Sequence, residues 1–156
     1  VQSSAELPEK INQTLTKLKS AEKELEKLRR EKLQAEAAKL IETAQTIGQV
    51  RVLAHHAGEL DANGVRSLAL DLRSRFGSEP AVVAVTGVAN NRPVVIVATN
   101  EGAREAGVKA GALVRVAAGV LGGGGGGKDD IAQGGGQDAT KVNEALDTIR
   151  TTIAQA

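Results

Sequence analysis

The 156-residue chain is 41% apolar and 25% charged, with a net charge of +1, which describes a folded protein large enough for one domain and an appendage. This excludes a disordered tail, and it excludes a massive basic surface: residues 1–47 carry 9 basic and 8 acidic side chains and residues 48–156 carry 11 of each, leaving room for a local basic patch only. Cysteine is absent, so disulfides and thiolate metal sites are out, and Phe76 is the single aromatic, which removes modules that stack unpaired bases on Tyr or Phe. No apolar run reaches membrane-spanning length, and the cysteine count fits a cytoplasmic protein. The opening Val1-Gln2-Ser3-Ser4, with neither initiator Met nor leader, is that expected of a piece of a longer protein.

Ser3-x-x-Glu6 reads as a capping box and Pro8 suits the first turn of the helix that follows. Ile11, Leu15, Leu18, Leu25 and Leu28 recur at spacings of three, four or seven, and Leu33, Ala37, Leu40, Ala44 and Ile47 continue after a slip of register. With no Gly or Pro across residues 9–47, the pattern predicts a helix of roughly 35 to 40 residues, a length that calls for a partner helix along its apolar seam. Glu22, Glu26, Lys23, Lys27, Arg29 and Arg30 cover the other faces as a solvated charged surface. The first domain is accordingly a coiled-coil-like helical arm over residues 1–48.

At Gly48 the period changes. Val50, Val52 and Ala54 alternate with Arg51, Leu53 and His55 as in a strand. Asp61 is placed to cap a helix with Val65, Leu68, Ala69, Leu72 and Phe76 on one face, closed by Gly77. The runs Ala81–Thr86 and Val94–Ala98, joined by Asn90-Asn91-Arg92-Pro93, predict a hairpin buried on both faces. Thr99 or Asn100 caps a short helix to Gly107, Gly111 to Leu121 reads as another helix, and Asp138 caps a last one with Val142, Ala145, Leu146, Ile149 and Ile153 inward. The expected class is α+β: a compact lobe over residues 49–156 with a small sheet of at least three strands packed by helices.

Between the last two helices lies a glycine-rich loop, residues 122–136, holding 9 of the 18 glycines. Glycine loses more backbone freedom on folding than any other residue, so bare backbone is needed here for a reason. A Walker loop is excluded, because Lys128 precedes Asp129-Asp130 rather than Ser or Thr and a helix. Asp129 and Asp130 make a solvated turn a better reading than a magnesium site, lacking a third ligand. His55-His56 sit side by side on a strand, so their rings point to opposite faces and do not share an ion. Their expected role is structural or superficial, and no metal or cofactor is expected.

Gly122 to Gly127, Lys128, Ala132-Gln133-Gly134-Gly135 and the helix after them resemble the closing signature of the DHHA1 family, in the form it takes at the C-terminal end of bacterial alanyl-tRNA synthetases. The coil, the strand from Val50, the Asp61-x-x-Gly64 helix start and the hairpin fall in the family's order, so the resemblance covers nearly the whole chain. It implies a non-catalytic, tRNA-binding and dimerisation domain that engages the outer corner, or elbow, of tRNA, with the catalytic and editing domains of the parent enzyme as further partners. The residues it marks for tRNA contact are Gly124, Gly125, Gly126, Gly127, Lys128, Gln133, Gly134 and Gly135, with Lys128 meeting the family's preference for a cation after the glycines. Two other readings remain open. One is a purely structural module dimerised by the long helix. The other is the substrate lobe of a phosphoesterase, whose Asp-His-His domain would lie elsewhere; position 54, before His55-His56, is alanine here.

Overall fold

A computed structural model describes the backbone of residues 3–155 and the side chains of residues 11–155 other than Leu33. The chain divides into two compact units between Ala38 and Lys39. The first is made of α1 (Ser3–Glu42), whose last four residues already belong to the second; the helix runs 40 residues without interruption, about 60 Å at the α-helical rise. Its backbone is helical from Ser3, while the Ser3–Glu6 side-chain box and Pro8 lie outside the described side chains. Ile11, Leu15, Leu18, Leu25 and Leu28 are each about half exposed, between 49% and 57%, so the apolar seam read from the spacing is real and open within this unit.

The helix stops five residues earlier than its apolar period predicts. Thr43 and Ala44 close the last turn onto the carbonyls of Leu40 and Ile41, and β1 (Gln45–Ile47) leaves in an extended conformation. The reason is tertiary: Gly48 adopts a φ of +62°, a turn that folds β1 back along β2 (Val50–Glu59), and the ladder Gln45↔Val52, Thr46↔Arg51, Ile47↔Val50 satisfies their backbone groups. Isolated helical preference does not compete with that pairing.

The second unit is built on a sheet of order β1-β2-β3-β4-β6-β5. From β2 the chain crosses through α2 (Ala62–Arg75) to β3 (Ala81–Ala89), parallel to β2; every other neighbouring pair is antiparallel. Asp61 caps α2 as its sequence position implies, its carboxylate accepting from the Gly64 N–H at 2.8 Å. Between β3 and β4 (Arg92–Thr99) the link is only Asn90 and Asn91, both left-handed at φ of 54° and 61°. That is a type I′ turn, matched to the twist of a tight hairpin, and Asn tolerates it better than any branched residue. Asn100 caps the short α3 (Glu101–Glu105), and α4 (Ala110–Val120) follows.

The glycine stretch is not a loop. It forms β5 (Gly125–Gly127) and β6 (Ile131–Gly135), an antiparallel hairpin that extends the sheet from β4. Asp138 caps a 3-10 turn, Ala139–Lys141, which runs directly into α5 (Val142–Gln155) rather than opening that helix itself.

Alternation along the strands divides the core. Val52, Val82, Ala84, Val95, Val97 and Ala132 face α4 and α5, packing with Leu113, Val114, Ala117, Leu121, Leu146 and Ile149. The opposite face carries Leu53, Val83, Val85 and Ile96, all buried, and α2 lies over β3 and β4 there with Val65, Ala69 and Leu72 inward. Burying each such branched side chain contributes about 1.5–3 kcal/mol. Since α2 lies over β3 and β4 and α4 lies over the other face, the α2-side surface of the β5–β6 hairpin is where the sheet opens.

Candidate nucleic-acid interface

The pairing register decides which way each glycine of the hairpin faces. Gly125 and Gly134 are opposite one another and point toward α4. A methyl group built on Gly125 would sit 2.7 Å from Val114 Cγ1, and one on Gly134 would sit 2.8 Å from the same atom and 3.0 Å from Ala118 Cβ. Gly127 is closed by Ala132 of the facing strand, and Gly123 and Gly136 by the carbonyls of Gly135 and Leu121. These glycines let α4 and the crossing chain approach the hairpin backbone closely. Gly124 and Gly126 differ: nothing lies within 4 Å of a methyl group at either, so packing inside the lobe does not account for them.

On the open side, Gly126, Gly127, Lys128 and Gln133 come together, lining a groove of about 360 Å³. Ile96, Ile131 and Arg66 of α2 line it as well. Asp130 also lines it, so the groove is cationic with one carboxylate among its walls. Gln133 and Lys128 are exposed and Gly135 is half-buried beside the Pro93 carbonyl. The eight marked residues thus do not form one surface: the Cα hydrogens of Gly125 and Gly134 are turned toward Val114 of α4 and Gly134 is buried, whereas Gly124, Lys128 and Gln133 are exposed and Gly126 is half-buried with open space at its Cα. Arg66 escaped the sequence reading, because α2's polar side carries several cations and only the fold shows which one borders the hairpin.

Lys128 stands at the turn between β5 and β6, and that turn is tied down from several sides. The Asp129 carbonyl accepts from Thr99 Oγ1 and from the Ala110 N–H at 3.0 Å. The Asp130 carbonyl accepts from the Thr99 N–H at 2.8 Å and from Arg73 Nη1 at 3.2 Å. Lys128 N–H itself donates to the Ile131 carbonyl at 3.0 Å. Thus β4, α4 and α2 all hold the backbone beneath one exposed ammonium. A strand, not a helix, follows the lysine, which bears out the exclusion of a phosphate-cradling Walker loop.

The pairing also orients the backbone. With Gly135 N–H on the Gly124 carbonyl and Lys128 N–H on the Ile131 carbonyl, Gly126 exchanges its bonds with Gln133, and the polar groups of Gly125 and Gly127 point away from β6 at the end of the sheet. Two donors are thereby offered beside the lysine.

The histidine pair has no part in this. His56 Nδ1 lies 2.9 Å from Thr86 Oγ1, a buried hydroxyl in the neighbouring strand. Among the described residues, no group of three or more His, Asp or Glu side chains converges as metal ligands would.

The DHHA1 domain model matches residues 49–155. The chain belongs to the DHHA1 domain family. It is 61% identical to the alanine–tRNA ligase of Paenarthrobacter aurescens (strain TC1) over 153 residues, and 60% identical to that of Kocuria rhizophila over 154. These alignments take in 97% and 98% of this chain but 17% of each relative, so the chain spans about a sixth of the length of the curated proteins it matches. Among solved structures it resembles the C-Ala domain from Aquifex aeolicus alanyl-tRNA synthetase, with a TM-score of 0.65 and 26% identity, over 71% of this chain and 97% of that one. Among the described residues no helix is long and apolar enough to cross a membrane.

Proposed function

We propose that this chain is the tRNA-binding, non-catalytic domain of an alanine–tRNA ligase, and that the open side of the β5–β6 hairpin meets the outer corner of the tRNA. The observation that carries the reading is the pair Gly124 and Gly126: side chains are missing there although the lobe has room for them. A flat partner that approaches the backbone directly explains the omission. The corner of an L-shaped tRNA presents a flat terminal base pair and backbone phosphates, and structured RNA is recognised mainly by shape. Lys128 supplies a point charge for phosphate, and the outward N–H groups of Gly125 and Gly127 supply donors.

The test is a titration of the chain with whole alanine tRNA and with a minihelix that lacks the corner. Tighter binding of the whole tRNA is expected; equal affinity for both would sink the proposal.

The same reading gives α1 a role in self-association. Its half-exposed seam at Ile11, Leu15, Leu18, Leu25 and Leu28 repeats like one side of a coiled coil, and a second copy offers an identical seam. Sedimentation equilibrium should show a dimer that Leu18→Asp with Leu25→Asp converts to monomer. A wild-type monomer at high micromolar concentration would remove self-association. The catalytic and editing functions then belong to the remaining length that the relatives possess and this chain does not.

A further inference from the structure

We infer that Arg66 is a second phosphate contact, and that the groove between α2 and the β5–β6 hairpin is a track for one stretch of RNA backbone, gripped from both walls. This rests on the tRNA reading of the hairpin and adds a residue, and an element, to it. Arg66 stands on the exposed side of α2, five residues beyond the Asp61 cap, and lines the same groove as Lys128, Gly126 and Gln133.

Its state separates it from its neighbours on the helix. Arg73 is committed to the Asp130 carbonyl and Arg75 to Asp71, at 3.2 and 3.1 Å. No hydrogen bond or ion pair engages the side chains of Arg66 or Lys128 among the described residues. Two uncommitted cations, one on α2 and one on the hairpin, therefore line a single cleft whose lining is otherwise part apolar, Ile96 and Ile131, and part bare backbone. Like charges held in one cleft repel, and an anion between them turns that repulsion into attraction to both. A guanidinium forks onto two oxygens of one phosphate while an ammonium acts as a point charge, so the two walls read the anion differently. Asp130 lines the same groove, and its negative charge disfavours a second phosphate close beside the first.

The test compares wild type, Arg66→Ala, Arg66→Lys, Lys128→Ala and the charge-matched control Arg115→Ala, which lies on α4 across the sheet. Each is titrated with whole alanine tRNA and with the cornerless minihelix over a salt series. Arg66→Ala should lower whole-tRNA affinity about tenfold and shallow the plot of log K against log salt by about one unit, as loss of one phosphate contact does. Arg66→Lys should keep the slope and lose part of the affinity. Arg115→Ala should change neither. Melting temperature, expected to stay at the wild-type value because Arg66 makes no internal bond, separates binding from folding. A wild-type slope in Arg66→Ala, with whole tRNA still preferred over the minihelix, overturns the role of Arg66 and leaves the hairpin reading standing. Equal wild-type affinity for the two RNAs overturns the hairpin reading instead.

Discussion

Replacing Gly134 and Gly126 by alanine, one at a time, separates the two uses the fold makes of glycine. At Gly134 the new methyl would stand 2.8 Å from Val114 Cγ1, 3.0 Å from Ala118 Cβ and 3.2 Å from Gly125 Cα. Carbon atoms prefer separations of about 3.5–4.0 Å, so three contacts are too short at once. Val114 and Ala118 are fully buried, and neither can swing into solvent to relieve them. Overpacking of this kind costs about 1–3 kcal/mol, and a value near 2 lowers the melting temperature by about 8 °C for a lobe of this size. At Gly126 the methyl meets nothing within 4 Å, and alanine restricts the unfolded chain, so stability should change by less than about 0.5 kcal/mol. The measurement is urea unfolding followed by far-ultraviolet circular dichroism, as the chain holds no Trp or Tyr. Truncating Val114 to alanine should remove at least half of the Gly134→Ala penalty, because it removes the obstructing methyl. The reasoning fails if Gly134→Ala unfolds with the wild-type midpoint, or if its penalty is the same with and without Val114. Gly126→Ala should then weaken whole-tRNA binding while leaving unfolding unchanged.

Lys128→Ala should shallow the salt dependence of tRNA binding by about one unit of slope, and an unchanged slope with unchanged affinity would remove it from the contact. Asp61→Ala deletes the cap of α2 and should cost about 1 kcal/mol in urea unfolding without altering the slope of the transition. Asp138 is held below the ordinary carboxylate value of 3.8, first by the Thr140 hydroxyl and then by the Thr140 N–H. A depressed folded pKa means its contribution is complete above that ordinary value and is lost as pH falls through the lower one. Asp138→Asn keeps an acceptor oxygen but neither charge nor titration, so it should melt below wild type near neutrality, and the two melting temperatures should converge as pH falls below about 4.

Much of the lobe was legible in the sequence because local chemistry and burial agreed. Asp61 before an amphipathic run, Asn90-Asn91 between two apolar runs and Asn100 before a short helix each named a boundary that the structure keeps. The end of α1 was not legible: residues 44–47 continue an apolar period that suits a helix, and only the free edge of β2, far from any local signal, makes them a strand. The glycine stretch stands out by composition, but neither its two strands nor the division of its glycines can be read from it. Which glycines face α4 depends on the register against β6, and a run of identical residues carries no alternation from which a register can be read. Arg66 was hidden for a related reason, since the helix signal says which residues face inward and nothing about what lies beside the polar side.

The bonds that converge on the Asp129-Asp130 turn have a thermodynamic consequence for any ligand at Lys128. Fixing the backbone of one residue costs about 1–2 kcal/mol, and a mobile loop bearing the lysine would incur this several times over on association. Here Thr99, Ala110 and Arg73 hold that turn through its carbonyls in the lobe itself. Folding has already met the ordering cost, and capture of a phosphate immobilises little more than one lysine side chain, about 2 kcal/mol of rotamer freedom. The glycines beside it, though the most flexible residues in an unfolded chain, are as a result a preorganised surface in the folded one.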